Sequence, residues 1–152
     1  MPTNPTRRPL RRPLLALALA LSAATAAPAA GAEWLLPSSA RWPGLGGAFF
    51  TTDLSVANRD SRDVTVTLKF LRHDENGSFG PEVSYPLRPG EALTIADVLK
   101  SAFGYSLDWG AIHVRADTTL LSVTSQTSTR AGGGGTFGQV VPGFSTAELV
   151  RG

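Results

Sequence analysis

A hydrolase needs a nucleophile, a general base and an orienting group within hydrogen-bond reach. In this sequence the base could come only from His73 or His113. Serines are plentiful, but none sits in a G-x-S-x-G elbow. His113 alternates with Ile112 and Val114, which reads as a surface histidine on the outer face of a strand. The carboxylates Asp60 and Asp63 interleave with Arg59 and Arg62, the pattern of a solvated turn. His73-Asp74-Glu75-Asn76 gathers oxygen and nitrogen donors in one loop, but D-x-N-G is only a fragment of a calcium loop, and the stretch is read as a solvated hairpin. Gly133-x-Gly135-x-x-Gly138 has the form of a dinucleotide fingerprint, yet it runs into TFGQVV, a strand-like stretch, where the mechanism wants a helix N-terminus aimed at a pyrophosphate. The chain has no cysteine, which removes disulfides, thiolate metal sites and cysteine nucleophiles. No residue is therefore assigned a catalytic, cofactor-binding or metal-ligating role.

The aromatics are the remaining chemistry. Trp34 and Trp42 flank LLPSSAR, ahead of the first clearly alternating segment, and Tyr105 and Trp109 lie in GYSLDWG, read as a loop. Exposed aromatics at the end of a β domain stack on sugar rings or anchor a protein partner. Buried ones merely cover the core. These four are the candidate ligand contacts. Asp53 is unusual because aspartate is disfavoured in strands. It is read as structural, either guarding an edge or bonding to an arginine or to backbone groups at a sheet end.

These side chains would be carried by strands. AFFTTDLSVA (48–57) sets Phe50, Thr52, Leu54 and Val56 on one face. DVTVTLKFL (63–71) sets Val64, Val66, Leu68 and Phe70 against Thr65, Thr67 and Lys69. Period-two alternation of this kind marks half-buried strands. NRDSR joins the two as a polar turn, and HDENGSFG (73–80) turns at Asn76-Gly77, a pair that tolerates positive φ. Val83, Tyr85 and Leu87 share a face of the next strand, Pro89-Gly90 turns the chain, and 91–95 form a short strand. DVLKSAF (97–103) is the one helical segment, capped by Asp97 and closed by Gly104. AIHVRA (111–116), TLLSVTSQTST (119–129) and TFGQVV (136–141) complete about seven strands, which fits a two-sheet, immunoglobulin-like sandwich, with a small barrel as the alternative.

Residues 1–32 stand apart. Arg7, Arg8, Arg11 and Arg12 precede the apolar run LLALALALSAATAA, and Ala30-Gly31-Ala32 offers a small-residue exit before Glu33. This is the layout of a secretory signal peptide, with an apolar run shorter than the roughly 20 residues a spanning helix needs. Thr6-Arg7-Arg8-Pro9-Leu10-Arg11 also fits a twin-arginine motif, although RRPL occurs twice and an ordinary basic head accounts for it as well. The signal takes four of the 14 basic and none of the 12 acidic side chains, which leaves residues 33–152 as a β domain with net charge −2. A domain of that charge gives no reason to expect a nucleic-acid partner.

Taken together, WLLPSSARWPGLGGAFFTTDLSVANRDSRDVTVTLKFL, LRPGEALTIADVLKSAFG and GAIHVRADTTLLSVTSQTSTRAGGGGTFGQVVP resemble a group of exported bacterial modules with an immunoglobulin-like β-sandwich, over residues 34–144. The resemblance rests on Thr52-Asp53-Leu54 with Asn58, Pro89-Gly90, Phe103-Gly104 and Gly135-Thr136-Phe137-Gly138-Gln139. Such modules often occur in tandem. The resemblance implies fold and an exported, periplasmic or extracellular location, and brings no catalytic residue or cofactor. The expectation is a non-enzymatic exported module with a structural or binding role and a protein or polysaccharide partner outside the cytoplasm. A carbohydrate-binding module using the loop aromatics is the alternative, and a small exported hydrolase using His73 or His113 is a third.

Overall fold

The computed structural model describes residues 31–130 and 136–149. The fold is all-β. Nine strands join by hydrogen bonds into one antiparallel sheet in the order β4-β3-β6-β1-β2-β7-β8, with β5 added to β2 and β9 to β1. The strands are β1 (Ala32–Pro43), β2 (Phe49–Asn58), β3 (Val64–Arg72), β4 (Glu82–Leu87), β5 (Ala92–Ile95), β6 (Asp108–Ala116), β7 (Leu121–Arg130), β8 (Thr136–Pro142) and β9 (Phe144–Ser145). Two short helices, α1 (Val98–Ser101) and α2 (Thr146–Leu149), complete the fold.

The alternation read from the sequence is the alternation of burial. In β3, Val64, Val66, Leu68 and Phe70 are all buried while Thr65 faces solvent. Lys69, expected in solvent, is only 16 % exposed along its side chain. Its stem lies on the sheet and its Nζ reaches the Ser78 carbonyl at 3.0 Å and Glu82 at 3.4 Å. In β2, Thr52, Leu54 and Val56 point inward, as do Ile112 and Val114 in β6 and Leu121 and Val123 in β7. Side chains from β2, β3, β6 and β7 meet in one core, so the sheet folds over on itself. Phe70 sits at its centre, with its ring 5.6 Å from that of Phe103 and 5.2 Å from that of Tyr105.

Two strands stand outside the seven expected, the two-residue β9 and the long β1. The first part of β1 pairs with β6 from Ala32↔Ala116 to Leu36↔Ile112, and the pairing resumes at Ser39↔Gly110 across a bulge. On its other edge β1 holds β9 at Trp34 and Leu35, then β2 at Arg41 to Pro43. Pro37 and two serines at the bulge interrupt the period-two signal, which is why this segment does not read as a strand. The expected cleavage junction before Glu33 falls within the first residues of β1, and residues 1–30 lie outside the described part. The AGGGG segment, 131–135, lies outside it too.

Two turns differ from expectation. In the 73–80 loop the positive φ falls on Asp74, at 55°, and not on Asn76-Gly77. Asn76 keeps φ −71° because its side chain accepts the Ser78 N–H and starts a short 3-10 turn at Gly77. The helix α1 is shorter than 97–103, and Asp97 does not cap it. Asp97 adopts a left-handed conformation, φ 47°, and spends its carboxylate on Arg41 at 2.8 Å. Gly104, φ 78°, closes the helix as expected. Val98 and Leu99 are fully buried, so α1 plugs the core.

The turn after β2 is pinned by charge. Thr118 donates to Asp60 at 2.7 Å, Arg62 reaches Asp60 at 3.3 Å and Asp117 at 2.7 Å. The Thr118 hydrogen bond holds the Asp60 carboxyl below the usual carboxylate range, and the Arg62 hydrogen bond does the same for Asp117. Both pKa values are depressed on folding, so their contribution is present above the unfolded value of 3.8 and is lost as pH falls through the folded values. Melting temperature should therefore drop as pH is lowered below about 4, and a Thr118→Val variant should show a shallower acid loss than wild type. Parallel acid limbs for the two proteins in thermal scans would contradict this assignment.

Candidate functional site

The site grows from the second half of β1. Directly opposed residues in an antiparallel pair share a face. Ala40 opposes Trp109 of β6, and Trp42 opposes Phe50 of β2. Trp109, Ala40, Trp42 and Phe50 therefore line up across three strands. Phe50 continues the row Thr52, Leu54 and Val56 that enters the core, whereas Trp109 falls between the core-facing Asp108 and Gly110. At this corner the outer face of β6 thus runs on into the inner face of β2, and the result is an open cleft of about 470 Å3 at the mouth of the core. Trp42, 43 % exposed, and Trp109, 46 % exposed, stand on it with Phe50 and Pro43. Its polar lining is limited to Ser38, Ser39 and Thr127, with no charged side chain.

The floor is held by buried hydroxyls. Thr52 Oγ1 accepts the Ala40 N–H at 2.8 Å and lies 2.7 Å from Thr127 Oγ1. Ser39 Oγ donates to the Gly110 carbonyl at 3.0 Å. Gly110 must be glycine: a Cβ there would come within 2.2 Å of the Leu71 carbonyl oxygen. That close approach of β3 to β6 seats the neighbouring Trp109.

A polar cluster backs Trp109. The His73 imidazole stacks on the indole, with ring centroids 4.1 Å apart and planes 14° from parallel. Its Nδ1 lies 3.2 Å from the Trp109 carbonyl and 3.5 Å from Asp108 Oδ1. Asp108 is buried and accepts from Arg72 Nε at 2.6 Å and from the Trp109 N–H at 2.8 Å. The Asp108 hydrogen bond raises the Arg72 pKa above its ordinary value. Arg72 also pairs with Glu75 and lies over the Tyr105 ring at 5.3 Å. His113 is elsewhere on β6, its Nε2 3.3 Å from Glu33. A hydrolase would need a nucleophile beside one of these rings; among the described residues the polar contacts of His73 go to the Trp109 carbonyl and the Asp108 carboxylate.

Of the four candidate aromatics, the structure brings together Trp42 and Trp109. Trp109 belongs to a strand and not to a loop, because β6 begins at Asp108. Trp34 is 7 % exposed, opposite Val114 in the core, and Tyr105 packs on Phe70. Asp53 accepts the Asp97 N–H at 2.8 Å and so anchors the start of α1, the backbone-bonding role among those foreseen for it. Gly138 of the glycine-rich motif lies within β8, opposite Ser128, while Gly133 and Gly135 fall outside the described residues. Among the described residues no three acidic or histidine side chains converge as a metal site would require, and no helix is long and apolar enough to cross a membrane. Phe50, Ser39 and Thr127 were not foreseen as site residues; reading WLLPSSARW as a bulged strand would have brought Trp42 beside Phe50.

No family model matches the chain, and no curated protein matches it either. Among solved structures it is similar to the crystal structure of Thermotoga maritima 1070, with a TM-score of 0.58 and 12 % identity, covering 74 % of this chain and 92 % of that one. That likeness concerns the fold alone.

Proposed function

We propose that the protein is an exported, non-enzymatic module of the immunoglobulin-like sandwich type, and that it binds carbohydrate through the Trp42–Trp109 cleft. The observation that carries the reading is the pair of half-exposed tryptophans on one uncharged cleft. Flat indole faces suit the C–H faces of sugar rings, and a mostly apolar cleft with a few hydroxyls is the usual make-up of a site for a neutral small ligand. The export reading is supported by the basic head, apolar run and small-residue exit of residues 1–32. The two-sheet reading is supported by β1, which keeps β6 on one edge across its bulge while its other edge passes from β9 to β2.

Titration with neutral polysaccharides and their oligomers should shift and quench the tryptophan emission. Trp42→Ala and Trp109→Ala should each weaken binding by about 30-fold, the level of a 2 kcal/mol contact residue. Both residues are about half exposed and stand outside the core, so the variants should keep the wild-type fold by circular dichroism. A panel of neutral glycans that leaves the emission unchanged, or binding that survives the loss of both indoles, would refute the assignment.

A further inference from the structure

We infer that the free edge of β8 is a self-association surface, on which a second copy of this chain adds its own β8 antiparallel. The inference is independent of the cleft.

The edge is unguarded. Natural sheets protect their edges with charges, prolines, bulges or short strands. The opposite outer strand, β4, carries Glu82 and Pro86, and β5 and β9 are short. In contrast, β8 is a seven-residue strand with no charged side chain, paired without a break to β7. Phe137 is 68 % exposed and Val140 65 %, and these two point to opposite faces of the sheet. Among the described residues nothing pairs with the outer edge of β8.

The sequence of β8 fits itself. The Gly143 N–H donates to the Val123 carbonyl at 2.8 Å. In an antiparallel ladder alternate residues point the other way, so Thr136, Gly138, Val140 and Pro142 direct their backbone groups to the free edge. The N–H that Pro142 lacks thus falls on the unpaired side, where proline is tolerated. A two-fold axis normal to the sheet must bring one residue opposite its own copy, and the midpoint of Thr136–Pro142 is Gln139. Centred there, Gly138 and Val140 of one copy exchange backbone hydrogen bonds with Val140 and Gly138 of the other. Thr136 donates to the carbonyl of Pro142 in the second copy. Side chains match as well: Phe137 opposes Val141, the bulky Val140 opposes a glycine, and the two Gln139 amides, each donor and acceptor, face each other. With no charge on the strand, no like-charge repulsion arises. Such a contact is isologous and closes as a dimer.

Sedimentation of the purified protein over a range of concentrations should show a monomer–dimer equilibrium, and Val140→Lys should leave only monomer while keeping its circular dichroism spectrum. The chain has no cysteine, so an introduced one reports on its own position. Gln139→Cys should form a disulfide dimer when diamide oxidises the two thiols, because residues of a non-hydrogen-bonded pair stand about 4.5 Å apart at Cα, within disulfide reach. Ser84→Cys on the β4 edge should form no disulfide dimer under the same treatment. Wild-type protein that remains monomeric at all concentrations would overturn the inference. Dimers that persist in Val140→Lys, or crosslinking at Ser84→Cys as efficient as at Gln139→Cys, would overturn it as well.

Discussion

Phe70→Ala is expected to cost about 3–5 kcal/mol, the usual loss when a buried aromatic leaves a cavity. The ring has no exposed surface and packs against Phe103 and Tyr105. Its strand is held on both sides, by β4 and β6, so the backbone has little freedom to collapse into the space. Lys69→Ala, one residue away and facing outward, removes a partly covered stem and a pair of polar contacts to Ser78 and Glu82. Contacts of that kind are worth about 1 kcal/mol or less. A small domain has only about 5–15 kcal/mol to lose, so urea midpoints should separate the two variants widely. Equal losses would mean that β3 is not in the described register.

Asn58→Ala is expected to be nearly as damaging, at about 2–4 kcal/mol, because buried acceptors lose their donor with no replacement. The Asn58 side chain is 1 % exposed. Its Nδ2 donates to the carbonyls of Arg62 at 2.8 Å, Leu87 at 3.1 Å and Arg88 at 3.0 Å, and its Oδ1 accepts the Asp60 N–H at 2.8 Å. One amide thereby ties the turn after β2 to the end of β4. Asn58→Asp separates this role from mere volume. It keeps the acceptor for Asp60 but turns a carboxylate oxygen toward three carbonyls, so at neutral pH it should be less stable than Asn58→Ala. Urea unfolding of the two variants at pH 7 checks the order. If the aspartate variant proves the more stable of the pair, the side-chain amide is not the donor described.

How legible this was depended on whether a residue acts within its own strand or across strands. Leu68 and Phe70 declare themselves because their neighbours alternate. Asn58 does not, since in NRDSR it is one polar residue among several and only the fold brings Leu87 and Arg88 to it. Trp42 and Trp34 look equivalent in the sequence, yet the bulge after Leu36 leaves one in the core and the other on a cleft. Asp97 sits where a helix cap belongs, and the nearby Arg41 takes its carboxylate instead. The all-β class was readable from periodicity. The cleft was not, because it joins β1, β2 and β6, and β1 carries no clean period.

The position of β1 also sets a timetable. It leaves the ribosome before every other strand, but its partners lie far along the chain: Ala32 waits for Ala116, and Trp34 for Ser145. Loop closure over such spans comes late and slows folding, as in other sheet proteins dominated by distant pairings. The fold therefore cannot be completed on a half-made chain. Until β6 is available, Trp34-Leu35-Leu36 is an apolar stretch with no strand beside it, and its second edge stays open until residue 145, so whatever handles the nascent polypeptide has to keep it from finding the wrong edge.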